Sequence, residues 1–357
     1  MKVYDLTTPC LIADGPATKV NIQTMSKTLP GTRLRPHVKA HKSTEIAMIQ
    51  SELGHVHFTC ATPREAAGLI SRGLGEDILV ANEVVNSKLL TRLAHFARDS
   101  HGRVTIAVDS QETVEKAALA GIRDVLVDVN VGLPRCGCEP ALAGSIADLA
   151  RRRNLNVRGV MGYEGHCVGL EDACERAEQT HRAMDILKEA HEQVGGDIIS
   201  AGGTGTYEIN RWANEIQAGS YVFMDSAYSK LELPFENSLA VLSTIISTNP
   251  QGWMVCDAGL KSLGMDHGNP TIQGADVWFC SDEHITFSLT QVPQEQTGLK
   301  ISSAVRFPVN STSKVGDMIS VIPAHIDPTI AYHDKIYVLD GEDVVDQWAV
   351  DLSGWDI

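Results

Sequence analysis

The sequence predicts an α/β protein in which a parallel (β/α)8 barrel, a TIM barrel, is joined to a second, mainly antiparallel β-domain. Three observations carry this expectation. Between about residues 33 and 220, eight short segments rich in β-branched residues alternate with longer amphipathic ones. After residue 236 the helical periods stop, and strand-like runs follow one another between Gly, Pro, Asn and Asp. A chain of 357 residues that is 43% hydrophobic can also bury a large core, and its length suits a barrel with an appended module.

The eight strand segments fall at residues 33–38, 55–60, 77–81, 104–108, 125–129, 157–163, 197–201 and 215–218. Helix-like stretches lie between them at 43–53, 63–72, 86–98, 111–120, 140–153 and 171–194, and several open on Ser, Pro or Asn, which suit a first helical turn. These elements place the barrel at residues 10–235. The runs at 241–247, 253–256, 277–280, 284–289, 318–322, 335–339 and 344–350 build the second domain over 236–357, with residues 1–9 joining it. No internal repeat or low-complexity linker is visible.

Composition excludes several function classes. Forty-five acidic against thirty basic side chains give a net charge of −15, which argues against a nucleic-acid partner. The N-terminus lacks the charged start and apolar run of a signal peptide, and no later stretch is apolar for long enough to span a bilayer. A cytoplasmic protein without a membrane partner is expected. The eight cysteines are scattered, with Cys136 and Cys138 the one close pair, so reduced thiols that mostly fill core space are expected.

In a barrel of this kind, chemistry collects at the C-terminal ends of the strands. The run Arg35-Pro36-His37-Val38-Lys39-Ala40-His41-Lys42 overlaps the first segment, and Lys39 stands at that segment's end. An isolated run of this composition would read as a solvated basic turn. At a strand end, however, cationic neighbours and partial desolvation leave a lysine amine free to form a Schiff base, and Lys39 is read as the attachment point of pyridoxal phosphate. Arg135 follows the fifth segment, Tyr163 and His166 the sixth, and the loop Gly202-Gly203-Thr204-Gly205-Thr206 the seventh. Small residues let backbone amides and two hydroxyls close around a phosphate, which barrels often hold after strands seven and eight. Neither a Rossmann fingerprint nor a P-loop fits the spacing. In the second domain, His325 and Asp327 stand two apart between Pro323 and Pro328, and on an extended strand they would point to one face and grip a divalent cation.

Together with residues 131–137, 162–166, 202–208, 219–225, 256–262 and 324–329, the basic run resembles the D-threonine aldolase family over nearly the whole chain. That family belongs to the alanine-racemase-like, fold-type III pyridoxal phosphate enzymes, with D-threo-3-hydroxyaspartate aldolases and dehydratases and D-serine dehydratases among its relatives. The resemblance implies that Lys39 is the Schiff-base lysine, that Arg135 lies near the cofactor's phenolate oxygen and Tyr163 near its ring, and that Gly203, Thr204, Gly205 and Thr206 form the phosphate cradle, helped by Tyr221 and Tyr228. It implies that His325 and Asp327 are the metal pair, for Mn, Mg or Zn, and an Asp at the second position resembles aldolases more than the His-Cys site of animal D-serine dehydratase. Ala61 departs from relatives that carry glutamine there, leaving one cofactor or substrate contact unmatched.

The implied activity is retro-aldol cleavage of a small D-3-hydroxy amino acid to glycine and an aldehyde, with a metal-bound water, His166 or His41 as the base. The alternative is β-elimination to a keto acid and ammonia, as in D-3-hydroxyaspartate or D-serine dehydratases. A homodimer is expected from such relatives.

Overall fold

The structure, a computed structural model, describes residues 1–290 and 299–357. The chain separates into two compact units, one formed by Met1–Met25, Ala40–Ser43 and Ser220–Asp351, the other by Ser26–Lys39, Thr44–Gly219 and Leu352–Ile357. After a 3-10 turn at Val3–Asp5 come β1 (Cys10–Asp14) and α1 (Gly15–Thr28). The alternating region follows as α2 (Thr44–Glu52), β2 (His57–Cys60), α3 (Pro63–Ser71), β3 (Asp77–Val80), α4 (Ser87–Asp99), β4 (Val104–Val108), α5 (Gln111–Ala120), β5 (Asp124–Asp128), α6 (Ala143–Arg152), β6 (Asn156–Gly162), α7 (Ala173–Val194), β7 (Ile198–Ala201) and β8 (Glu215–Ile216). Side-chain oxygens start several of these helices: Thr62 accepts from Glu65 N–H, Asn86 from Lys88 and Leu89, and Ser110 from Thr113.

Strands β2 to β8 form a parallel sheet in sequence order. The expected first strand at 33–38 is not a regular strand. Instead, Leu34 bridges Ile216 and His37 bridges Thr59, both in parallel sense, between short 3-10 turns at Gly31–Arg33 and Val38–Ala40. Arg35 and His37 donate their amides to the carbonyls of Ile216 and Ala218 at 2.9 and 3.0 Å, and Thr59 donates to Pro36 O at 2.9 Å. These bonds link β8 to β2 and close the ring, so the barrel class holds with one irregular stave. Pro36 explains the irregularity, because it has no N–H to continue a ladder. Lys39 consequently lies in a 3-10 turn rather than on a strand.

Inside this unit the Arg35 side chain is buried and makes a bidentate pair with Glu215, its Nε and Nη2 donating at 2.8 and 2.7 Å. Asp77 receives Arg35 at 3.4 Å and Arg158 at 2.8 Å, and Arg158 also donates to the Thr105 hydroxyl. Leu79, Ala107, Leu126 and Met161 pack together as one layer of apolar core.

The other unit is built on a nine-stranded sheet of β1, β9 (Leu239–Thr248), β10 (Trp253–Cys256), β11 (Thr271–Ile272), β12 (Ala275–Cys280), β13 (Ile285–Leu289), β14 (Met318–Ile322), β15 (Lys335–Asp340) and β16 (Asp343–Ala349), with the short helix α8 (Ile326–Ala331) after β14. The main path runs β12-β13-β10-β9-β1-β15-β16, while β14 pairs with β9 and β11 with β14. All pairings are antiparallel except β1 with β15. Val3, Leu6, Ile12, Leu242, Ile322 and Leu339 form its core.

Helix α1 turns polar residues inward: Thr18 and Asn21 are buried beside Ile22 and Met25. The Thr18 hydroxyl donates to Asp14 O at 2.7 Å, and the Asn21 amide donates to the carbonyls of Val222 and Glu236 at 3.1 and 2.8 Å. All eight cysteines are free thiols, five of them buried. Among the described residues no helix is long and apolar enough to cross a membrane.

Candidate active site

In the barrel unit, Arg135, Tyr163, His166 and the loop of residues 202–206 follow the C-terminal ends of parallel strands, and Lys39 follows the irregular stave at 34–37. Lys39 is half-buried, and its backbone N–H donates to His37 Nδ1 at 3.4 Å. Arg135 stands in the loop after β5 with its guanidinium carbon 5.2 Å from the centre of the Tyr163 ring. The loop is held at its base by Asn130 N–H to Cys138 O and Cys138 N–H to Asp128 O, both 2.9 Å. At the end of β5, burial and the neighbouring Glu83 carboxyl push Asp128 well above the usual carboxylate range.

The loop after β7 is shaped by a residue whose role the sequence did not reveal. Glu164 is fully buried, and its carboxylate accepts from Gly202 N–H at 3.0 Å, the Thr206 hydroxyl at 2.8 Å and the Asn210 amide at 3.1 Å. The Thr206 hydroxyl also accepts Gly203 N–H at 3.2 Å, so its one proton is committed to Glu164. Thr204 is buried in the same turn. Gly205 packs so closely that a Cβ there would lie 1.9 Å from the Val168 carbonyl oxygen. The turn can form only with a residue that has no side chain at this point.

His166 follows Tyr163 after β6, and its ring lies against Gly132. Gly132 has φ +127°, and an added Cβ would sit 2.9 Å from the imidazole. His166 Nδ1 is buried and has no hydrogen-bond partner among the described residues.

The remaining predicted residues belong to the other unit. His41 is fully buried, and its Nδ1 accepts Ser43 N–H at 3.2 Å. Tyr221 is buried in the 3-10 turn Ser220–Val222, with its ring 5.8 Å from that of Phe235. Tyr228 begins the turn Tyr228–Lys230 and donates its backbone N–H to Asp225 at 2.9 Å. The metal pair does not lie on an extended strand as expected. His325 caps α8 with extended backbone, φ −145° and ψ 120°, while Asp327 is in the first helical turn, because Pro328 and the following residues favour helix initiation. The two still face each other, with His325 Nε2 and Asp327 Oδ2 3.9 Å apart.

Three further residues gather here that sequence reasoning passed over. Asp225 is fully buried and accepts Ile326 N–H at 3.2 Å, fixing the backbone between His325 and Asp327. Asp266 accepts a hydrogen bond from His325 Nδ1 at 2.6 Å, and the His267 ring stacks on His325 with centroids 4.1 Å apart and planes 4° apart. Asp266 and His267 lie 59 and 58 positions before His325, so no spacing rule joins them to it.

Comparison with known proteins gives matches along the chain. Residues 14–227 match the family described as the N-terminal domain of alanine racemase, and residues 238–339 match a putative serine dehydratase domain. The chain is 32% identical to a D-threonine aldolase of Arthrobacter sp. over 98% of its own length and 93% of that protein's. It is 30% identical to a 3-hydroxy-D-aspartate aldolase of Paracoccus denitrificans over 99% and 94% of the two chains. The crystal structure of D-threonine aldolase from Filomicrobium marinum superposes with a TM-score of 0.87 at 30% identity, covering 99% of this chain and 96% of that one.

Proposed function

The chain is a lyase of the D-threonine aldolase family, and from that premise we propose that it binds pyridoxal phosphate on Lys39 and a divalent cation, Mn, Mg or Zn, on His325 and Asp327, and cleaves D-3-hydroxy amino acids to glycine and an aldehyde. The observation that carries the metal reading is the 3.9 Å separation of His325 Nε2 and Asp327 Oδ2, which two metal–ligand bonds of about 2.0–2.2 Å each span. The cofactor reading is supported by a loop after β7 whose Gly205 has no room for a Cβ. When bound, the cofactor supplies a sink for electrons left at Cα, and the cation lowers the pKa of a β-hydroxyl.

The chain's own side chains then have separable tasks. Lys39 provides the amine that carries the cofactor. Arg135, over Tyr163, brings a permanent positive charge to the barrel rim. Glu164 holds the turn of Gly202 and Thr206 in shape for Gly203, Thr204 and Gly205. His166 offers Nδ1 as a proton acceptor with no competing partner among the described residues, whereas His41 has Nδ1 occupied by Ser43 N–H. Tyr221 and Tyr228 serve as helpers of the phosphate site.

One observation favours a second reading. Residues 238–339 match a serine dehydratase domain, which would direct the same residues to β-elimination with release of a keto acid and ammonia. Incubation with D-threonine and D-serine, with and without added manganese, separates the two. Glycine with acetaldehyde, dependent on the metal, is expected; ammonia without aldehyde would reject the aldolase reading. A cytoplasmic homodimer is the accompanying expectation, and gel filtration showing only monomer would count against the dimer.

A further inference from the structure

We infer that Asp266 is a positioning residue that holds His325 in the tautomer and orientation needed to present Nε2 to the cation; the inference rests on the proposed metal role of His325 and Asp327. His325 Nδ1 lies 2.6 Å from Asp266 Oδ2, a hydrogen-bond distance too short to admit a metal ion between the two atoms. With Nδ1 carrying the proton toward Asp266, the lone pair of the neutral ring is on Nε2, and Nε2 is the atom that faces Asp327. A carboxylate on the far nitrogen of a metal-binding histidine fixes the ring and raises its basicity.

The arrangement is built into the fold rather than left to a loose loop. Ser262 O accepts from His333 Nε2 at 3.0 Å, and Gly264 N–H donates to the Thr329 hydroxyl at 3.0 Å. Thr329 in turn donates to His325 O at 2.8 Å. Residues 262, 264 and 266 are thus tied at three successive points to His333, Thr329 and His325. His267 adds a stacked ring that restricts rotation of the His325 imidazole.

The test is manganese affinity of the holoenzyme, read from the electron paramagnetic resonance signal of free Mn(II), with the visible cofactor band as an independent check on each variant. For Asp266→Ala the manganese Kd is expected to rise by about 10- to 100-fold with the band unchanged. Asp266→Asn keeps an oxygen that accepts the Nδ1 proton and should lose less. His325→Ala should lose binding altogether. An unchanged Kd in both Asp266 variants would overturn the positioning role. Losses in both as severe as in His325→Ala would also overturn it, by making Asp266 a ligand. A wild-type holoenzyme that takes up no manganese while keeping its cofactor band would instead reject the metal reading of His325 and Asp327, and the inference with it.

Discussion

Glu164 illustrates what a single side chain can decide and why its role is invisible before folding. Its neighbours in sequence place it on the barrel rim, but its task is set by Gly202, Thr206 and Asn210, which lie 38 to 46 positions away. A carboxylate suits these three donors because it only accepts. In Glu164→Gln one oxygen becomes an NH2 group that must face a donor, which costs about 1–3 kcal/mol of local stability. Cofactor titration of that variant should show a Kd raised roughly ten-fold while the imine band still forms at saturation. Lys39→Ala should remove the visible imine band entirely, and an unchanged band in that variant would refute Lys39 as the attachment point. Lys39, Arg135 and Tyr163 can be proposed from the sequence because expected strand-end position and residue chemistry point the same way. Asp225 and Asp266 cannot, since their significance comes from His325 and Ile326, reached only through the fold.

At the scale of elements, the alternating region was readable because its helices bury apolar faces at helical spacing and begin on Thr, Asn and Ser caps. Helix α1 escaped for the opposite reason. Its inward face includes Thr18 and Asn21, which are satisfied by hydrogen bonds, so no apolar period marks it. The closing segment at 34–37 has strand-like residues and lies in the barrel ring, but Pro36 limits it to single bridges. The turn after β7 depends on Gly205 in a way that can be measured. Gly205→Ala would force a Cβ against the Val168 carbonyl, and the turn must shift. Cofactor affinity is expected to fall at least ten-fold in that variant, with far-UV circular dichroism unchanged.

For the whole molecule, the ionic network of Arg35, Asp77, Arg158 and Glu215 links acid stability to the barrel. Burial alone would raise Asp77, but the hydrogen bonds of Arg158 and the charge of Arg35 outweigh it and hold the carboxyl at about 2. A carboxyl depressed in the folded state stabilises above its unfolded pKa, and that contribution, about 2 kcal/mol, is lost as pH falls from about 4 through 2. The urea midpoint should therefore drop between pH 5 and pH 3. Asp77→Asn should flatten that dependence yet be about 3–5 kcal/mol less stable at pH 7, because two guanidinium groups lose their shared partner. The two sheets also differ in when they can be completed. Each barrel strand from β2 to β7 pairs with the next strand in the chain, whereas β1 waits for β9 at residue 239 and β15 at residue 335. During synthesis, β1 therefore leaves the ribosome well before either of its neighbours, and pulse-labelled hydrogen exchange should protect the amides of β3 to β6 before those of β1.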